Sequence, residues 1–185
     1  MARTKTRGAR ARRIPDAIGL LKADHRQVEE WFGQFEKART DDRKQRLATD
    51  ICNALKVHTT VEEEIFYPAF IAQTEDEDLH HEAIVEHDGA KKLIAEIEAS
   101  SPDDDYFDAM VKVLSEMIKH HVKEEEQPGG MFAEARKSKM DLDGLGAQMA
   151  SRKARLEQDI ADDTGSPHAT PRGRGRERGH LGRLM

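Results

Sequence analysis

Two stretches of the chain set, along an apolar stripe, a histidine four residues before a glutamate. His58 precedes Glu62 within KVHTTVEEEIFYPAF, and His121 precedes Glu125 within HHVKEEE. On a helix this spacing puts both side chains on one face, about 6 Å apart along the axis. A lone imidazole on an apolar stripe is more often a hydrogen-bonded core residue than a ligand. A carboxylate there is harder to place, because a buried unpaired charge shifts its pKa or needs a partner. Two such pairs, with His25 and His87 on the stripes of two other segments, make little sense as packing and good sense as a metal site. Imidazole and carboxylate donors without thiolate suit Fe, Mn or Zn, and carboxylates can bridge a redox pair. The candidate metal ligands are therefore His25, His58, Glu62, His87, His121 and Glu125.

These residues need helices to present them. Pro15 fits a first helical turn, and Thr40-Asp41-Asp42 places an N-cap and acids at a second start. Glu75-Asp76-Glu77-Asp78 opens a third helix, Ser101-Pro102-Asp103-Asp104 a fourth, and Gln127-Pro128-Gly129-Gly130 stops it. The expected spans are 15–38, 41–72, 75–100 and 102–127. Short connections favour antiparallel neighbours, so the fold class is all-α, an up-down antiparallel four-helix bundle. Its stripes read Ile18, Leu21, His25, Val28, Phe32, Phe35, then Leu47, Ile51, Leu55, His58, Glu62, Ile65, Ala69. The third reads His80, Ile84, His87, Lys91, Ile94, Ile97, and the fourth Phe107, Met110, Leu114, Met117, His121, Glu125. His80 sits one heptad from His87, about 10 Å along the axis, too far to share its ion. The helical wheel turns Glu63, Glu64, Glu124 and Glu126 toward solvent, and Glu86 about 100° away from His87. Tyr67 and Tyr106 are expected to pack rather than to reach the site.

Four segments follow: a basic, disordered tail over 1–13, the bundle over 14–127, a helical extension over 128–160 and a second basic, disordered tail over 161–185. The extension offers Leu142, Leu145, Met149 and Leu156 as apolar positions. Residues 1–13 hold six basic residues and no acid, and residues 172–185 hold five arginines and one acid, Glu177. Of 30 basic and 36 acidic residues, 19 and 35 remain for the rest, a net charge of −16. An acidic body with two basic tails leaves nucleic-acid contact to the tails alone. No run of about 18 apolar residues offers a membrane span, and no apolar segment follows the basic start as in a secretory signal. The single cysteine, Cys52, excludes an internal disulfide, and a cytoplasmic location is the expectation.

The pieces Asp24-His25, HTTVEEEIFYP at 58–68, EHD at 86–88 and HHVKEEE at 120–126 together resemble the hemerythrin-like proteins of the HHE cation-binding family. The resemblance spans residues 14–127, and AQMASRKARLE resembles the family's trailing helix. It implies a four-helix bundle around a non-haem di-iron centre, hence two Fe ions as cofactor, with Mn or Zn as the other ions these donors accept. By the same resemblance His25 and His58 take one iron, His87 and His121 the other, and Glu62 and Glu125 bridge them. The oxygen-carrying members have H-x-x-x-H on the third helix, where this chain has Ala83 four residues before His87. Their last carboxylate is an aspartate five residues after its histidine, where this chain has Glu125 at four. With one histidine fewer, chemistry with peroxide, nitric oxide or O2 becomes the expectation in place of stable oxygen carriage. Three functions follow: binding or sensing such a ligand or buffering iron, decomposing peroxide as an enzyme, and associating with nucleic acid through the tails.

Overall fold

The computed structural model describes residues 14–74 and 76–165. They form seven α-helices: α1 (Ala17–Phe35), α2 (Asp41–Val61), α3 (Tyr67–Thr74), α4 (Glu77–Glu98), α5 (Phe107–Glu126), α6 (Met131–Lys137) and α7 (Leu142–Gly165). A π-helical turn, Glu62–Phe66, joins α2 to α3, so the second long helix is continuous from Asp41 to Thr74. No strand occurs among the described residues. Asp16, Thr40 and Asp76 cap α1, α2 and α4 by accepting from the amides of Gly19, Arg43 and Leu79. α1 packs on α2 and α5, and α4 closes the ring against the same two helices, giving the up-down four-helix bundle.

Two apolar layers fill it. One joins Val28, Phe32, Ile51, Leu55, Ile94, Phe107 and Leu114, and the other joins Ile18, Leu21, Phe66, Tyr67, Phe70, Phe132 and Met149. The stripe histidines lie where these layers meet: His25 between Leu21 and Val28, His58 between Leu55 and Val61, His87 between Ala83 and Ala90.

The structure corrects several element boundaries and stripes. The fourth helix begins at Phe107, not 102, because the Asp104 carboxylate accepts from the Ser101 amide and the Ser100 hydroxyl and closes a turn instead of capping a helix. On α4 the buried row is Ala83, His87, Ala90, Ile94 and Ile97, whose alanines gave the sequence little hydrophobic signal. On α5 Val111 and Ile118 are buried where Met110 and Met117 had been expected, and these two are only partly covered. The extension is integral to the core: Met149 is fully buried, and Leu142, Leu145 and Leu156 pack against the second layer. Its helix α7 continues to Gly165, past residue 160. Residues 161–165, expected in the second basic tail, are therefore helical, and the rest of the tails, 1–13 and 166–185, lies outside the described residues.

The α5–α6 turn depends on glycine. Gly129 has φ +83°, and a Cβ on Gly130 would stand 2.1 Å from the Glu124 carbonyl oxygen. This tight turn drops α6 directly over the polar layer.

Candidate metal centre

Four helices each aim one imidazole inward, and all six candidate residues are buried. His25 Nε2 stands 3.2 Å from His58 Nε2, and His87 Nε2 stands 3.3 Å from His121 Nε2. The carboxylates tie the two pairs together. Glu62 Oε2 lies 3.1 Å from His58 Nε2 and 3.4 Å from His87 Nε2. Glu125 Oε2 lies 3.4 Å from His25 Nε2 and 3.7 Å from His121 Nε2. Each glutamate thus reaches one histidine of each pair, with Glu62 fully buried. Neither Glu62 Oε1 nor Glu125 Oε2 has a hydrogen-bond partner.

The outer nitrogens are held in a ring that the helical wheel did not reveal. His25 Nδ1 donates to Glu126 Oε1, His87 Nδ1 to Glu63 Oε1 and His121 Nδ1 to Glu86 Oε2, each at 2.8 Å. His58 Nδ1 faces Asp24 Oδ2 at 3.6 Å, an ion-pair distance rather than a hydrogen bond. Each helix therefore lends a carboxylate to the histidine of the next. The signal was adjacency: Asp24, Glu63, Glu86 and Glu126 each neighbour a candidate ligand in sequence. Glu63 and Glu126, read from the wheel as solvent-facing, are turned back against the bundle, whereas Glu64 is exposed and pairs with Arg152.

An imidazole whose Nδ1–H points outward presents the Nε2 lone pair inward. Two such lone pairs facing each other at 3.2–3.3 Å repel unless a cation lies between them. Without metal, a proton takes that role in the first pair. Burial works against a charge on His58, but Glu62 and Asp24 outweigh it and raise its pKa to about 10. Burial and the neighbouring His58 lower that of His25 to about 4. One positive charge is taken up strongly and a second is refused. The carboxylates divide in the same way. Burial and the charge of Glu62 push Glu125 up to about 8, while Glu62, despite its burial, is held well below the usual carboxylate range by His58 and His87.

The site is built for more positive charge than protons supply. Two nitrogen ligands about 2.1 Å from one ion at right angles stand about 3 Å apart, close to the observed separations. His25, His58, Glu62 and Glu125 offer donor atoms within 4.8 Å of one another, and so do Glu62, His87 and His121. The residues present therefore fit a metal pair.

The structure adds two groups that periodicity missed. In α-helical register Ile65 and Ala69 would face the core. The π turn inserts one extra residue per turn, and Phe66, Tyr67 and Phe70 are buried instead. The Tyr67 amide bonds the Glu62 carbonyl across that wide turn, which stacks Tyr67 over Glu62. Its phenolic oxygen then lies 3.2 Å from His87 Nε2 and 3.4 Å from both Glu62 Oε2 and Glu125 Oε1. The second group is Phe132 of α6, which stacks on His25 at 5.8 Å with 8° between ring planes. His80 stays outside, edge-on to the far side of the Tyr67 ring. Tyr106 is exposed.

A cavity of about 20 Å³ adjoins the four imidazoles, walled by Val28, Leu55, Thr59, Ile118 and Val122. This is room for about one water-sized molecule.

Residues 16–128 match the Hemerythrin HHE cation binding domain. The chain belongs to that family. It is also 24% identical over 144 residues to a DNA nickase of Nostoc sp., an alignment covering 75% of this chain but 39% of that protein's length. The chain thus spans well under half of that relative. Among solved structures, the Hemerythrin HHE cation binding domain-containing protein of Mycobacterium kansasii superposes with a TM-score of 0.68 at 18% identity. That similarity covers 80% of this chain and 91% of the other, and shows a shared fold. The HHE domain is a cation-binding domain, and in this chain the clustered histidines and glutamates are the groups able to hold the cation. Among the described residues, no helix is long and apolar enough to cross a membrane.

Proposed function

We propose that this chain is a non-haem di-iron protein that binds or senses a small ligand: O2, peroxide or nitric oxide. In this reading His25 and His58 hold one ion, His87 and His121 the other, and Glu62 and Glu125 bridge both. The observation that carries it is the pair of facing Nε2 contacts, each flanked by outer carboxylates that keep the lone pairs inward. Iron, when bound, supplies an exchangeable coordination position and a one-electron redox couple. The protein's part is to position and shield. Tyr67 gives a phenolic oxygen to the His87/His121 half, where α4 offers only Ala83. Phe132 and the apolar wall keep bulk water from the histidines. The small cavity selects by size, which favours a diatomic molecule or peroxide over an organic substrate.

Metal analysis and an optical spectrum test this. The wild-type chain should carry about two irons and near-ultraviolet charge-transfer bands, and His58→Ala with Glu62→Ala should lose both while remaining helical. A folded wild type that takes up no iron contradicts the reading. Steady-state peroxide consumption, abolished in Glu125→Ala, would instead assign a peroxide-decomposing enzyme to the same centre.

A second reading rests on the basic tails and on the name of the Nostoc relative: nucleic-acid association. Binding through phosphate contacts weakens steeply with salt. If the tails carry it, the full chain should bind DNA at low salt, and a chain without residues 1–13 and 165–185 should not. Equal binding by both would sink this reading.

A further inference from the structure

The four outer carboxylates are not equivalent on their solvent sides. Asp24 is paired with Lys153, Glu63 with Lys91 at 2.6 Å, and Glu126 with Arg26 and with Lys22 at 3.1 Å. Each holds a histidine on one side and a lysine or arginine on the other. Glu86 departs from this pattern. Among the described residues, its charged contacts are His121 inward and His120 outward, and beyond His120 lies another carboxylate, Glu124. Neither Glu86 nor Glu124 meets a lysine or arginine among the described residues.

We propose that Glu86, His120 and Glu124 form a second, solvent-facing site for a divalent transition-metal cation, joined to the buried centre through Glu86. His120 and Glu124 repeat, one residue earlier on α5, the four-residue spacing of His121 and Glu125. His120 Nε2 lies 3.4 Å from Glu86 Oε1 and 3.4 Å from Glu124 Oε1. These distances exceed an ordinary N–H···O hydrogen bond, yet all three donors fall within 4.8 Å of one another. One imidazole and two carboxylates carry a net charge of −2 with His120 neutral. A divalent ion supplies the charge that Lys91, Lys153 and Arg26 supply at the other three corners. Imidazole with carboxylate suits Fe, Mn or Zn better than Ca or Mg.

The surroundings point to a ligand as well. A gap of about 10 Å³, near the size that holds one water, lies between Glu86, Glu124 and Glu82 outside and His121 and Glu125 inside. The outer side is open, since the His120 side chain is 59% exposed. Glu86 serves both sites at once, giving Oε2 to His121 Nδ1 and Oε1 to the outer cluster. A cation held outside draws charge from the carboxylate that orients His121, so it tunes the inner half and waits one carboxylate away from it. The outer site stands on its own geometry; the coupling rests on the buried centre being the iron centre proposed above.

The test uses the full chain as purified, with its resident metal. Mn²⁺ is titrated in and free Mn²⁺ is read by electron paramagnetic resonance, for wild type and for His120→Ala with Glu124→Gln. Both changes leave Glu86 and its bond to His121 in place. The wild type should bind one more Mn²⁺ per chain than the double variant, at unchanged iron content. Spectroscopically silent Zn²⁺ should shift the iron bands in the wild type and not in the variant. Equal Mn²⁺ binding by the two proteins overturns the outer site, including the outcome in which neither binds because a protonated His120 suffices. Extra Mn²⁺ with no band shift overturns the coupling. Failure of the di-iron reading looks different, since it appears as missing iron in both proteins before any titration.

Discussion

At the scale of single residues, the outer carboxylates decide how well the imidazoles present their lone pairs. Glu63 fixes the ring of His87 and is itself held by Lys91. Glu63→Gln keeps the shape and loses the charge, so affinity in the His87/His121 half should fall about 10–100-fold. Competition against a chelator measures this, and Glu64→Gln, altering an exposed neighbour, is the control that should change nothing. Protons oppose metal at the same atoms. His58 is raised to about 10 and Glu125 to about 8, so near neutral pH both carry a proton that an incoming ion must displace. The sign follows: metal binding at pH 7 releases protons, and affinity rises with pH until these groups are ionised to their metal-binding forms. Calorimetry in buffers of different ionisation enthalpy should show that release. Heats independent of buffer would mean that the metal-free site is already deprotonated.

At the scale of elements, what could be read from the sequence depended on regularity. The stripe of α1 and that of α2 as far as His58 follow an undistorted α-helical period, and there every expected core position is buried, His25 and His58 included. The π turn breaks that period at Glu62. Beyond it the buried residues shift by one, which moved Tyr67 from a packing role to the centre of the site. No local composition marks such a turn; it becomes visible only once Tyr67 is seen above Glu62. The α4 stripe was obscured for another reason, since alanines fill a narrow interface without raising hydrophobicity. Tyr67→Phe tests the importance of the π turn. It preserves the buried ring and deletes one oxygen, so iron content should hold while the optical bands shift. An unchanged spectrum would return Tyr67 to packing.

At the scale of the whole molecule, the polar layer is held between two apolar layers, one of which α6 and α7 help to build. Gly146 of α7 lies so close to α1 that a Cβ there would stand 2.5 Å from the Pro15 carbonyl oxygen, and Lys153 reaches across to Asp24. α7 is thus a fifth member of the bundle rather than an appendage, which the sequence could rank only as a weaker helix. Met149→Ala should destabilise the chain by about 2–5 kcal/mol in urea unfolding, as for other buried large-to-small changes. A cost below about 1 kcal/mol would mean that α7 docks only loosely. The central claim, that two pairs of facing imidazoles hold two ions, is tested most directly by anomalous X-ray scattering at the iron edge from crystals of the iron-loaded chain. Two peaks are expected, one beside His25 and His58 and one beside His87 and His121, roughly 3.5–4 Å apart as in two-metal sites. A single peak, or none among these four histidines, would contradict it.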